Sequence, residues 1–283
     1  MLFSIIKYFN QYKILISIAS FFSIYKALYL LNLSINPLIY QIAIVIATLI
    51  VYNQNQIFHN KNKISINLSK SNRHLPLIIV LAFGAIFAIL SFIFKYGFRK
   101  EILLGILFLP SFFYQIPIIS FKGKTLAVRQ MPYFKIFLIS FVWSYVATLM
   151  VFIPIESPKF LHAAIILTMN FIFILSITIP FDVRDKVLDR FNELKTLSHL
   201  FNDRLLVITS ISLAIINFIV SSLYIITFSD PILILPEIGI IIYLLLLYSN
   251  FEKLKNKDYY YELLDFSILL YGALYLFIRL IFL

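Results

Sequence analysis

Nine stretches of about 20 nearly uninterrupted apolar residues run through this chain, and each is long enough to cross a bilayer as a helix. They fall at 12–32, 36–58, 75–95, 101–120, 133–154, 160–181, 204–228, 231–250 and 259–282. Many are rich in Ile and Phe, which in water would favour strands. Length decides otherwise, because the strands of a membrane barrel are about 10 residues long and alternate polar with apolar. The composition agrees. Of 283 residues, 61% are hydrophobic and 13% charged, against about 45–50% and about 25% in a soluble domain. Mean hydropathy is +0.95. A chain this apolar could not cover its own surface in water, so a soluble enzyme is excluded. With 30 Phe and 18 Tyr, so is an intrinsically disordered segment. The sequence predicts an all-α, polytopic membrane helix bundle of about nine transmembrane helices, forming a single integral membrane domain over 1–283.

The connections between these stretches are unequal. Those after spans 1, 3, 5 and 7 are only a few residues long. Those after spans 2, 4, 6 and 8 are longer and polar, near 59–74, 121–132, 182–203 and 251–258. The N-terminus and the regions after these even-numbered spans hold 18 of the 24 lysines and arginines. Positive residues are retained on the cytoplasmic side, which places the N-terminus and the long loops inside and the C-terminus outside. Such a protein belongs in the cytoplasmic membrane of a bacterium, with lipid around it. The net charge of +11 then reflects retained loops, and no nucleic-acid partner is implied. No small-residue cleavage site follows Met1–Lys13, so no cleavable leader is expected. The absence of cysteine excludes a thiolate nucleophile and a Cys-bound metal.

The acidic residues are few and unevenly placed. None of the 13 precedes Glu101, and four fall together as Asp182, Asp185, Asp189 and Glu193. On a helix their spacing puts all four carboxylates on one stripe. Asp185–Asp189 and Asp189–Glu193 are like-charged i,i+4 pairs, each costing a helix a few tenths of a kcal/mol. A stripe of this kind, where a span meets water, calls for a cation, and Mg²⁺ suits hard oxygen ligands and bridges carboxylates to phosphates. A salt-bridged loop helix accounts for the same residues. Asp182 could cap a short helix after Pro180, Asp182 and Lys186 could pair at i,i+4, and Arg184 and Arg190 could neutralise the rest.

The segment DVRDKVLD, Asp182 to Asp189, resembles the second aspartate-rich motif of the UbiA family of intramembrane prenyltransferases. The family's nine spans, with aspartate motifs after spans 2 and 6, match the hydropathy pattern. Lys195-Thr196-Leu197 resembles the sequence that follows the motif. Pro132–Pro154 resembles the family's fifth span, with Lys135 as its opening basic residue. The first motif departs from the family. Where an Asn followed by aspartates is expected, the chain reads NQIFH from Asn55 to His59, and Gln56, His59 and Lys63 stand at acidic positions.

The resemblance implies a Mg²⁺-dependent transferase that moves a polyprenyl group from its diphosphate to a hydrophobic acceptor such as an aromatic ring or a quinone precursor. Asp182, Asp185 and Asp189 would hold the metal and serve as the catalytic residues. Lys135, Arg129, Lys195, Asn55 and Lys63 would contact the diphosphate, with Lys61 or Lys63 replacing the charge of a second metal ion. Tyr114, Trp143 and Tyr145 could line the prenyl pocket. Two alternatives stay open. One is a protein of the same fold that binds an isoprenoid without transferring it. The other is a transporter, for which the sequence shows no clear internal repeat. Lys26, Asn170, Asn217, Glu237 and Asp265 are polar residues inside spans. For Lys26 and Glu237, snorkelling to the outer interface is expected over pairing.

Overall fold

A computed structural model describes residues 14–31, 41–42, 44–46, 48–49, 117–121, 124–127, 131, 133–152, 160–191 and 194–282. The chain divides into two compact units, residues 1–21 with 35–112, and residues 22–34 with 113–283. The spans expected at 75–95, most of 36–58 and most of 101–120 lie outside the described residues. Apart from the first turns of α1 and a few residues between 41 and 49, the described residues belong to the second unit.

The described elements are α1 (Ile14–Leu30), a hairpin of β1 (Pro117–Phe121) and β2 (Lys124–Ala127), α2 (Lys135–Phe152), α3 (Phe160–Phe191), α4 (Leu197–Leu200), α5 (Asp203–Phe228), α6 (Ile234–Ser249), α7 (Phe251–Leu254) and α8 (Asp258–Phe282). Among the described residues, four helices are long and apolar enough to cross a membrane, and α1 and α2 are shorter apolar helices. The helices begin and end within a few residues of the expected spans. The exceptions are the hairpin and the end of α3.

The hairpin replaces the end of the span expected at 101–120. β1 and β2 pair antiparallel with Phe121 opposite Lys124 and an irregularity between Pro117 and Ile119. Proline lacks the amide proton that a helix interior requires, and Gly123 follows closely in the sequence.

The helices are built inside out relative to a soluble protein. Along α5, Ser210, Ala214, Asn217 and Ser221 are buried, while Leu205, Ile208, Ile215, Ile216, Ile219, Leu223 and Ile226 are exposed. In water this arrangement would aggregate. In lipid it is the stable one, because apolar side chains gain nothing by leaving hydrocarbon and small residues let helices approach closely. The same logic places Gly272 on α8 where a Cβ would overlap the Phe22 carbonyl of α1.

Helices α2 and α3 lie antiparallel and are linked by small polar side chains at successive levels. Ser140 Oγ meets Thr178 Oγ1 at 3.1 Å. Deeper in, Asn170 Nδ2 donates to Thr148 Oγ1 at 3.3 Å.

Helix α3 has 32 residues, about 48 Å at 1.5 Å per residue, against a hydrocarbon core of about 30 Å. It must therefore project beyond the membrane. The sequence places a loop after residue 181, but the helix runs through Pro180 to Phe191 without a break. Asp182 thus lies within a helix and does not cap one. Pro180 cannot donate to the carbonyl of Ser176 one turn back. The hydroxyl of Tyr248, on α6, donates to that carbonyl at 2.8 Å. A neighbouring helix thus supplies the bond that proline removes, which is how membrane helices tolerate proline.

Candidate functional site at the head of helix α3

The projecting end of α3 presents Asp182, Asp185 and Asp189 along one stripe. Lys135, the first residue of α2, reaches across to it. Its Nζ lies 3.1 Å from Asp185 Oδ2 and 2.9 Å from Asp189 Oδ2. The ammonium therefore bridges the like-charged i,i+4 pair and removes its repulsion. Arg184 Nε donates to the other oxygen of Asp185 at 2.8 Å. The Arg184 guanidinium also sits over the rings of Phe181 and Tyr261, at 4.7 and 4.9 Å from their centroids. Asp185 is thus held on both oxygens, and Asp189 on one.

Asp182 differs from its neighbours. It is 2% exposed, and its Oδ2 accepts the backbone N–H of Ser198 at 2.9 Å. Its Oδ1 is buried with no hydrogen-bond partner among the described residues. Leaving a buried carboxylate oxygen unpaired is costly. Ser198 lies on α4, within the segment that folds back from the end of α3. That segment is held by Thr196 Oγ1, which meets Ser198 Oγ at 3.0 Å and His199 Nδ1 at 2.8 Å. The carbonyl of Lys195 accepts the N–H of Tyr133 at 2.8 Å. Tyr133 has φ +61°, a left-handed conformation that costs a bulky residue about 1–2 kcal/mol. The strain sits two residues before Lys135 and sets the entry into α2.

Other loops gather at the same end. Asp203, at the start of α5, takes Lys186 at 3.5 Å and Lys255 at 3.3 Å. Lys186 therefore pairs with Asp203 and not with Asp182, four residues behind it, because α5 brings a more exposed carboxylate to its tip. Lys255 also meets Glu252 at 2.8 Å, and that hydrogen bond holds its ammonium above the ordinary lysine range. The polar segments after α3 and α6, and the entry to α2, thus share one end of this unit.

Among the sequence-predicted site residues, the structure brings Asp185, Asp189 and Lys135 into direct contact, with Asp182 one turn back on the same helix. Lys195 contributes its backbone carbonyl, and its side chain is exposed. Arg129, Asn55 and Lys63 lie outside the described residues. Tyr133, Ser198 and Tyr248 do not stand out in the sequence. Tyr133 and Ser198 act through backbone groups, and Tyr248 acts on a carbonyl 72 residues away. Only the proline within an apolar run gave a hint, since it implies an orphaned carbonyl needing some donor.

A second polar cluster lies inside the bundle. Lys26 is 2% exposed and Glu237 is fully buried, so neither snorkels. Lys26 Nζ donates to Asn170 Oδ1 at 3.0 Å and sits 3.6 Å from the centroid of the Tyr271 ring. The Tyr271 hydroxyl donates to Glu237 Oε2 at 2.5 Å, and Tyr275 donates to Oε1. Tyr271 therefore links cation and anion, its ring facing the ammonium and its hydroxyl the carboxylate. A cation over an aromatic face is worth about 2 kcal/mol when desolvated, which offsets part of the cost of burying Lys26. Beside Lys26 is a small cavity lined by Trp143, Ser144 and Asn170 among others. Tyr145 stacks on Phe141. Asn217 is buried on the inner face of α5. Asp265, on α8, is half-buried. Tyr114 lies outside the described residues.

No protein-family model matches the chain, and no curated protein does. Among solved structures, the chain is similar to the apo structure of a UbiA homolog from Aeropyrum pernix K1. The TM-score is 0.69 at 10% sequence identity, over 92% of this chain and 97% of that one. The fold is that of a UbiA homolog. An integral membrane helix bundle of this type accounts for the inverted burial, the membrane-length helices and the gathering of polar segments at one end.

Among the described residues, no three His, Asp or Glu side chains stand together as a ready metal site. The residues fit a divalent cation in a narrower way. Asp182 Oδ1 is a buried oxygen without a hydrogen-bond partner among the described residues. Mg²⁺ usually needs only one or two carboxylates when a substrate's phosphates complete its shell. The end of α3 thus suits an ion shared with a phosphorylated ligand and does not form a preformed cage.

Proposed function

We propose that this protein handles a polyprenyl diphosphate at the cytoplasmic end of the bundle and transfers the prenyl group to a hydrophobic acceptor. The observation that carries this reading is the Asp182–Asp185–Asp189 stripe, with Lys135 lying on it, at the projecting end of a helix in a UbiA-like fold. The prenyl tail lies among the spans, which exclude water, and the diphosphate lies at the polar end. Breaking an allylic C–O bond leaves a carbocation on the tail and gives both bonding electrons to the diphosphate, which departs with one negative charge more than it carried as the ester. Mg²⁺ bound together with the phosphates would neutralise part of that charge.

The chain's own residues supply the rest. Asp182, Asp185 and Asp189 are the residues that would hold such a cation beside the head group. Lys135 and Lys195, with Arg129, Asn55 and Lys63, are assigned to the phosphate oxygens as charge-assisted donors. Tyr114, Trp143 and Tyr145 are assigned to the prenyl pocket, where an aromatic face would stabilise a carbocation. On this reading the N-terminus lies in the cytoplasm, and the protein in the inner membrane of a bacterium.

A second reading is favoured by one specific observation. The segment from Asn53 to Lys63 has no acidic residue, and no acid occurs before Glu101. Half of a two-motif site is therefore basic or neutral. A protein so built would bind an isoprenoid diphosphate without transferring it. The deciding experiment mixes purified protein with a labelled prenyl diphosphate and Mg²⁺, with Asp185→Asn as control. Diphosphate release that Asp185→Asn abolishes supports transfer. Saturable binding without release supports the second reading. No binding by either protein removes both.

A further inference from the structure

The cation that the aspartate stripe calls for is already present, and it is a side chain. Lys135 Nζ lies within hydrogen-bond distance of both Asp185 and Asp189, where the like-charged pair would otherwise attract an external ion. Lys135 has only 19% of its side-chain surface exposed, and Asp189 only 8%. Asp185 has its second oxygen on Arg184, so neither carboxylate is idle. Asp182 keeps one buried oxygen without a partner among the described residues. With no acid before Glu101, the N-terminal third of the chain can offer no compensating carboxylate.

We infer that Lys135 is an internal latch, closing the Asp185–Asp189 pair to divalent cations until a diphosphate draws its ammonium away. This rests on the proposed diphosphate ligand and adds an order of events to it. A divalent ion arriving alone must displace the ammonium and leave it part-buried without an anion. An ion arriving with a diphosphate does not, because the phosphate oxygens give Lys135 a new partner as the aspartates turn to the metal. Cation and diphosphate then bind cooperatively. By linkage, each tightens the other by the same factor. A carboxylate cage would instead fill with metal first.

The test uses the full-length protein in detergent and measures protein-bound Mn²⁺ by equilibrium dialysis, with and without inorganic pyrophosphate. The wild type is expected to bind Mn²⁺ at least about tenfold more tightly with pyrophosphate than without it, a coupling within the usual range. Lys135→Met is expected to bind Mn²⁺ alone about tenfold more tightly than the wild type and to show little further gain with pyrophosphate. Lys135→Arg, which keeps the charge, should stay close to the wild type. Equal Mn²⁺ affinity in the wild type with and without bound pyrophosphate overturns the latch. So does a folded Lys135→Met that binds Mn²⁺ no better than the wild type. If Lys135→Met does not fold, the wild-type comparison decides alone. If neither pyrophosphate nor a prenyl diphosphate binds under any cation, the functional reading falls, and Mn²⁺ binding by Lys135→Met against the wild type still judges the latch.

Discussion

At the scale of single residues, Lys26 and Glu237 are tolerated inside this bundle because each has partners that replace water. Tyr271 shows it most clearly, with its ring on Lys26 and its hydroxyl on Glu237. Tyr271→Phe keeps the ring and removes the donor. It should lower stability by about 1 kcal/mol, in the range of hydrogen bonds between membrane helices. Lys26→Met, which leaves Glu237 buried without its cation, should cost more, as breaking one side of a buried pair does. Thermal unfolding in detergent ranks the two, and a Tyr271→Phe variant as stable as the wild type would refute the linking role of the tyrosine. Tyr133 offers a second check. At φ +61° a glycine carries no penalty, so Tyr133→Gly should unfold at or above the wild-type temperature and Tyr133→Val below it. Neither residue is legible from sequence. A tyrosine among 18 tyrosines carries no mark of its partner, and a left-handed φ in a non-glycine residue is imposed by the surrounding structure.

At the scale of elements, the continuity of α3 decides where the aspartates stand. A helix that stopped at Pro180 would leave Asp182 and Asp185 on a loop. Because Tyr248 caps the carbonyl of Ser176, the helix continues and the stripe becomes a fixed array facing Lys135. Tyr248→Phe should therefore cost about 1–3 kcal/mol, the penalty for a buried acceptor left unpaired. In a Pro180→Ala background the amide of residue 180 returns to that carbonyl, and Tyr248→Phe should become nearly neutral. A double-mutant cycle measures the coupling, and additive costs would show that Tyr248 serves something other than the proline. Packing between α1 and α8 makes a similar demand at Gly272. There Gly272→Ala should lower the unfolding temperature by several degrees, since the added methyl meets the Phe22 backbone and a backbone cannot rotate away. Unchanged unfolding would mean the two helices are not held at that distance. Helix positions were readable from hydropathy because lipid imposes length directly. The hairpin at Pro117–Ala127 and the extension of α3 were not, because both depend on contacts or local geometry that an apolar count averages away.

At the scale of the molecule, the described polar segments around Lys135, Lys195, Asp203 and Lys255 gather at one end of this unit. The chain has no native cysteine, so single cysteines report topology without background. Asn256→Cys and Lys253→Cys should react with an impermeant maleimide only from the cytoplasmic side. Asp230→Cys, in the exposed turn between α5 and α6, should react only from the opposite side. Labelling of positions 230 and 256 from the same side would refute the arrangement.

The amino-acid order alone determined membrane residence, the approximate limits of the described helices and the alignment of three carboxylates on one helical stripe. Each follows from a local rule: hydrocarbon thickness and the 3.6-residue turn. Tertiary structure alone decided what those carboxylates face. Lys135 lies about 50 positions earlier in the chain, Ser198 presents a backbone amide, and Tyr248 supports the helix from across the bundle. Such pairings depend on which surfaces meet after the helices assemble. In lipid that choice is made by close packing and by the need of every buried polar group for a partner, neither of which leaves a periodic trace in the sequence.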